Sequence, residues 1–150
     1  MAVITTDLLL KGVRRDEVFA WISVPANHGR ILQGTFDGCA EQSEGTYVLT
    51  VTAGPRTRSL VWCFDRPDDS HGGRRVYVQT EGKRFKGVMS FSLRTMKPST
   101  NTLVTLHYDF SPGGLLGSMA MAAGLEDALN AGMKQIVSNL KRELEAEASA

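Results

Sequence analysis

The C-terminal part of the chain carries the most regular pattern of apolar positions. Between Leu125 and Leu144, large apolar side chains recur in steps of three and four residues, which is the spacing of one face of an α-helix. Charged residues such as Glu126, Lys134 and Lys141 fall on the opposite face. The pattern predicts a long amphipathic helix that buries one face and does not span a membrane. The apolar face comprises Leu125, Leu129, Met133, Ile136, Leu140 and Leu144.

The start of this helix is predicted at Ser111, which suits an N-cap because Pro112 follows it at the first helical position. Glycine inside a helix costs about 1 kcal/mol relative to alanine. We therefore expect a bend or a short break at Gly124, between a Met- and Ala-rich section and the regular apolar face. We interpret residues 113–124 as the part of the helix that can shift, with Gly124 as the hinge of a cavity gate.

Upstream of the helix, the apolar period changes from helical spacing to alternation. Short runs rich in β-branched and aromatic residues, separated by glycine- and proline-containing turns, predict seven strands. The predicted strands span residues 2–10, 35–42, 46–53, 56–65, 74–80, 83–95 and 102–110. Two short helices are predicted at 14–23 and 27–33, and residues 66–73 are predicted to form the longest irregular connection.

Alternation also gives the predicted sheet one apolar face. In the sixth strand Phe85, Met89 and Phe91 share one side, while polar and charged residues share the other. Tyr47 in the third strand and Tyr108 in the seventh likewise share one side of their strand with the apolar residues at every second position. A sheet with one apolar face is expected to pack on the apolar face of the C-terminal helix, which predicts an α+β fold.

Composition and charge exclude little. The 150 residues are 42% hydrophobic with a formal net charge of +1, so nothing global favours nucleic acid, an acidic membrane or disorder. We expect one domain over residues 1–150, and a cytosolic protein because the N-terminus lacks a signal-peptide pattern. Cys39 and Cys63 have no metal-ligand spacing, so we expect two buried or half-buried free thiols.

A resemblance to a known superfamily covers the whole chain. It is carried by residues 16–22 followed by Pro25, by 82–87, by 102–104, and by the glycine-rich approach at 112–117 to a helix that ends with 140–144. In this order of elements the chain resembles the helix-grip superfamily, which includes START lipid-transfer domains, plant pathogenesis-related allergens and polyketide cyclase/dehydrase-like proteins (SRPBCC). Residues 36–52 and the glycine-rich approach look most similar to the bacterial polyketide-cyclase and carbon-monoxide-dehydrogenase-subunit-G branches.

The resemblance implies a curved seven-stranded antiparallel sheet wrapped on the long C-terminal helix, with two short helices between strands 1 and 2. It implies a ligand cavity between sheet and helix, although the same aromatic and Met residues would also suit an ordinary core. Cys39 and Cys63 would lie two strands apart, about 9.6 Å, which is too far for a disulfide. The lining would comprise Tyr47, Trp62, Phe64, Phe85, Met89, Phe91 and Tyr108 from the strands and Met119, Leu129 and Met133 from the helix.

Catalytic signatures are absent from the sequence. There is no nucleophile elbow, phosphate-binding loop, dinucleotide fingerprint or two-histidine metal helix, and we expect no metal and no cofactor. A cyclase would need only an acid or base in a dry pocket. The candidates are His28, His107, Asp37, Glu41 and Asp109. Alternation places His107 and Asp109 on the polar face, whereas His28 is expected near the cavity mouth, together with Gly124.

Three functions remain open at this point. The first is a carrier of a small hydrophobic molecule such as a lipid, a quinone or a polyketide-like aromatic; the second is a cyclase or dehydratase acting on such a molecule. The third is an accessory or assembly protein that binds a partner peptide. Six basic residues fall at neighbouring ends of the predicted strands four to six. They would form either a patch, in which Arg84 and Lys86 contact an anionic surface, or a solvated sheet face that discourages edge association. The six are Arg56, Arg58, Arg74, Arg75, Arg84 and Lys86.

Overall fold

The computed structural model describes residues 2–70, 74–82, 85–112 and 124–149. Within these ranges the chain forms seven strands, three α-helices and one 3₁₀ turn. The strands are β1 (Ala2–Leu10), β2 (Gly38–Ser43), β3 (Thr46–Ala53), β4 (Arg56–Asp68), β5 (Arg75–Gly82), β6 (Phe85–Met96) and β7 (Asn101–Pro112). The helices are α1 (Arg15–Ile22), α2 (His28–Leu32) and α3 (Leu125–Ser149), and the 3₁₀ turn spans Pro25–Asn27.

The strands of the described chain form one antiparallel sheet in the order β1-β7-β6-β5-β4-β3-β2. Strands β2 to β7 pair with their neighbours in sequence, and β1 closes the order by pairing with β7. The two short helices lie between β1 and β2, and the long helix follows β7. The expected α+β fold, with a seven-stranded antiparallel sheet, two short helices between strands 1 and 2 and a long C-terminal helix, is therefore confirmed.

Strand β4 is longer than the sequence indicated. Residues 66–68 were predicted to be irregular, but Arg66, Pro67 and Asp68 continue the pairing with β5. A register shift between Phe64 and Arg66 makes this extension possible, because a bulge admits an extra residue without ending the strand. The polar and proline-containing sequence after Phe64 therefore marks a bulged strand end, not a loop.

The helix α3 starts later than the predicted N-cap. Ser111 and Pro112 belong to β7, opposite Lys86 and Phe85, so the prediction of a helix from Ser111 is wrong. Pairing with β6 satisfies this backbone and outweighs the local preference for a helix cap. Gly124 has a φ of 93°, a conformation that favours glycine, and directly precedes the helix. The bend or break expected there within a longer helix stays a prediction. Residues 113–123, including Met119, lie outside the described residues.

The apolar face of α3 packs as its spacing predicted. All six of its predicted apolar residues, from Leu125 to Leu144, are buried. The helix contacts β1, β3, β7 and α2. It therefore covers the apolar side of the sheet, which we call the inner face; the opposite side is the outer face.

Two contacts fix α3 beside the end of α2. The Asn139 side-chain amide donates to the carbonyl oxygens of Ile31 and Gln33, at 2.9 and 3.0 Å. In the loop after α2, the Phe36 ring lies so close to Gly132 of α3 that a Cβ atom at position 132 would overlap the ring. Phe36 itself has a φ of 53°, which is uncommon for an aromatic residue. The helix position is thus set by specific contacts as well as by apolar burial.

The two cysteines are free, with β3 between their strands, as the resemblance implied. Cys39 on β2 is half-buried, whereas Cys63 on β4 is exposed, so the expectation of burial is wrong for Cys63. Cys63 follows buried Trp62 in an alternating strand and therefore points to the outer face. No helix within the described ranges is long and apolar enough to cross a membrane.

Candidate ligand-binding face

Most of the predicted lining residues meet on the inner face. Five of them, Tyr47, Trp62, Met89, Phe91 and Tyr108, are buried there. Leu129 and Met133 are buried on the facing side of α3. Phe64 is half-buried and packs at the edge of the same cluster. The side chain of Phe85, like Met119, lies outside the described residues.

His28 was expected near the cavity mouth. It is instead fully buried in the interior of the fold. The 3₁₀ turn carries it inward, where its ring makes edge contacts with Trp62 and Phe64. Nε2 lies 2.8 Å from the carbonyl oxygen of Ile22, so it must donate. Trp62 Nε1 then donates to Nδ1 across 3.1 Å. The ring is thereby fixed as the neutral Nε2–H tautomer and connects α1 to β4.

The surroundings of His28 oppose its protonation. Desolvation by burial lowers the pKa of His28 to about 4, only partly offset by the hydrogen bond to Ile22. Both ring nitrogens are engaged, so His28 has no free nitrogen with which to take a proton from a ligand. The sequence offered no sign of this role, because a single loop histidine has no periodicity to reveal its burial.

A pair of hydroxyl groups lies in the interior of the inner face. Tyr108 on β7 and Thr80 on β5 approach to 2.5 Å between their oxygen atoms, and burial raises the pKa of Tyr108 to about 12. Gly87 on the intervening strand has no room for a Cβ, which would overlap the backbone of Asp109 and the side chain of Phe110. The close approach of β7 at this glycine lets the Tyr108 ring lie across β6 and reach Thr80.

Arg58 also belongs to the inner face. It lies opposite buried Val51 in the β3–β4 register, and buried Leu60 is the next residue on the same side of β4. Its side chain is half-exposed, but its Nε atom is buried and has no hydrogen-bond partner among the described residues. Arg58 was predicted to lie in a surface patch, although the alternation of Arg58, Leu60 and Trp62 already indicates the apolar side.

The predicted patch of basic residues does not form among its described members. Lys86 lies on the outer face, whereas Arg56 shares the inner side of β4 with Arg58. Arg74 and Arg75 lie at the opposite end of β5 from Lys86, and Arg74 pairs with carboxylates. These positions were expected at neighbouring ends of strands four to six, and the strand register separates the described ones. Arg84 lies outside the described residues.

The remaining acid and base candidates lie away from the inner cluster. His107 is on the outer face of β7, where its Nδ1 lies 3.3 Å from Thr5 Oγ1, and Asp109 shares that face. Asp37 accepts a hydrogen bond from the Thr52 backbone at 2.7 Å, and Glu41 is exposed on β2. Among the described residues no group of three or more His, Cys, Asp or Glu is close enough to hold a metal ion.

Two surface depressions are separate from this cluster. One of about 500 Å³ lies between α1 and the end of α3 and is lined by residues including Trp21 and Leu144. Another of about 320 Å³ lies beside Phe36 and Gly132. Neither is lined by the residues predicted to bind a ligand.

Comparison with solved structures identifies the architecture. The KanY protein superimposes with a TM-score of 0.68 at 16% identity, over 96% of this chain and 97% of KanY. A START superfamily protein from Mycobacterium smegmatis gives 0.53 at 14% identity, over 96% and 97% of the two chains. The protein has the helix-grip fold. A norcoclaurine synthase point mutant from Thalictrum flavum, in complex with a transition state analogue, shares it, with a TM-score of 0.58 at 14% identity and 95% coverage of both chains.

The expected resemblance is therefore confirmed at the level of the fold. At these identities the helix-grip architecture is the shared property, and activities do not transfer with it. No protein-family model and no curated protein sequence matches this helix-grip chain.

Proposed function

We propose that this helix-grip protein binds a small hydrophobic molecule between the inner face of its sheet and α3. The observation that carries the proposal is the composition of that face, where aromatic and thioether side chains surround a buried hydroxyl pair. Such a surface suits a flat or flexible apolar ligand with a few polar atoms. The fold supports the proposal, since one similar structure is a complex with a transition state analogue.

Binding or transport is favoured over catalysis by the state of His28. Both of its ring nitrogens are occupied, and its low pKa keeps it neutral. Tyr108, with its raised pKa, donates hydrogen bonds in the physiological range and does not act as a base. A cyclase or dehydratase would therefore need another proton-transfer group.

The test compares two substitutions on adjacent residues of β4. Leu60 is buried on the inner face, and Val61 points to the outer face. Leu60→Phe adds volume where the ligand is proposed to lie, while Val61→Phe adds the same kind of side chain on the other side. Titration with the fluorescent methyl ester of cis-parinaric acid should give saturable binding to wild type and Val61→Phe, and weaker binding to Leu60→Phe.

Circular dichroism spectra and melting curves of both variants would establish that they fold. Native mass spectrometry of the freshly purified wild type gives an independent readout, as a co-purified apolar molecule. Absence of both a co-purified molecule and saturable probe binding would contradict the proposal and favour an accessory protein that binds a partner peptide.

A further inference from the structure

Arg58 is the inner-face residue whose polar group has no role in the fold. His28 is paired with Ile22 and Trp62, and Tyr108 is paired with Thr80, so these polar groups are satisfied by the protein. The Nε of Arg58 is buried and has no acceptor within the described ranges. Since a buried donor is normally paired, and no described residue supplies the acceptor, an acceptor from a ligand would satisfy this Nε atom.

Nearby carboxylates do not supply that acceptor. Asp37, on the neighbouring part of the sheet, uses its carboxylate to bind the Thr52 backbone. Elsewhere on the described chain, arginine side chains do meet acids: Arg66 lies 2.9 Å from Asp65. Arg58 is distinguished by its buried Nε atom, which has no acceptor among the described residues.

Arg58 lies at one end of an apolar stretch of the inner face. Beyond Arg58, the inner side of β4 continues through Leu60 to Trp62, both buried, over about 13 Å at the usual rise of a strand. In the opposite direction along β4, Arg56 is exposed, so the end of this surface that carries Arg58 adjoins solvent. Leu60 and Trp62 are fully covered, so an amphipathic molecule would have to separate α3 from the sheet here, and it would then lie along this surface with its charged group at Arg58.

We propose that Arg58 binds the anionic headgroup of an amphipathic ligand, with a carboxylate as the matching group. This rests on the proposed function, because it specifies the ligand of the same face. A guanidinium presents paired N–H donors that fit a carboxylate or phosphate in a bidentate manner. A carboxylate matches its single charge, whereas a phosphate monoester carries about two negative charges and would leave one unmatched beside apolar residues.

The experiment uses three probes that differ in their headgroups. Cis-parinaric acid and its methyl ester share one chain, and a lysophosphatidate serves as competitor. Wild type should bind the acid at least about tenfold more tightly than the ester, as expected for a hydrogen-bonded charge. Arg58→Gln should reduce acid binding to the level of the ester and leave ester binding unchanged. Arg58→Lys, which keeps the charge but lacks the paired donors, should give an intermediate preference.

Arg56→Gln is the matched control, because it removes the same charge from the same side of β4 at an exposed position. It should retain the preference for the acid. Equal binding of acid and ester by wild type, or equal loss of both in Arg58→Gln, would overturn the assignment of Arg58 while leaving ligand binding intact. Displacement by the lysophosphatidate but not by unlabelled fatty acid would overturn the choice of carboxylate. Failure of both fluorescent probes to bind would overturn this inference together with the proposed function.

Discussion

Acidification should destabilise this protein through His28, whose ring is held neutral in the interior. The group titrates near pH 6.5 in an unfolded chain and has a pKa of about 4 in the folded protein. Between these values the unfolded state binds the proton more readily than the folded state does. Stability is therefore fully present above about pH 6.5 and is lost as the pH falls towards 4.

The size of the effect follows from the two pKa values. A difference of about 2.5 pH units corresponds to about 3 kcal/mol when the full window is crossed. Between pH 8 and pH 5 the loss is about 2 kcal/mol, which for a typical urea dependence moves the unfolding midpoint by about 1 M. Desolvation by burial is the main structural reason, and protonated Nδ1 could also no longer accept from Trp62; the hydrogen bond to Ile22 acts in the opposite direction.

Urea unfolding at pH 8 and pH 5 measures this loss by far-UV circular dichroism and tryptophan fluorescence. His28→Gln keeps an amide donor and a carbonyl acceptor but does not titrate, so it should be less stable than wild type at pH 8 and lose less stability on acidification. His107→Gln, on the outer face, serves as the control and should keep the wild-type pH step. If wild type and His28→Gln lose the same free energy of unfolding between these pH values, the assignment of the step to His28 is refuted.

The contacts of α3 with the region after α2 give two further tests. Gly132→Ala should destabilise wild type through overlap with Phe36, yet stabilise a Phe36→Ala background by about 1 kcal/mol, since only helix propensity then acts. Urea denaturation of the four proteins measures this coupling, and additive effects would contradict it. Asn139→Leu should cost about 2–4 kcal/mol by leaving two backbone carbonyls without donors, whereas Ser138→Leu on the exposed side should cost little. Equal melting temperatures for these two variants would argue against the role of Asn139.

The parts of the fold that the sequence predicted well are those with regular burial on one side. Strand β3 was predicted with its exact bounds, because buried and less buried positions alternate from Thr46 to Ala53. The apolar face of α3 was predicted for the same reason, with helical spacing. In both cases the pattern within one element was enough to predict its buried side. The inner-face residues that these two elements contribute were therefore predicted correctly.

The errors arose where a distant partner decides the structure. Ser111 and Pro112 have the local signature of a helix cap, but pairing with β6 keeps them in a strand. His28 was assigned to an opening because a single residue in a connection gives no period. Its burial depends on Ile22 and Trp62, which supply complementary groups from α1 and β4. Such placements require the tertiary contacts and cannot be read from one segment.

The inner face contains polar groups of two kinds, and the difference separates packing from recognition. His28 with Trp62, and Tyr108 with Thr80, are satisfied by one another, so folding alone accounts for them. Arg58 lies on the same face with a half-exposed side chain, and its buried Nε atom has no partner among the described residues. An unsatisfied group of this sort would add to the affinity of a carrier for a ligand with a matching acceptor, because a polar atom already paired within the protein adds little. The buried Nε of Arg58, which has no acceptor among the described residues, is thus the feature that distinguishes this face from an ordinary core more than its aromatic residues do.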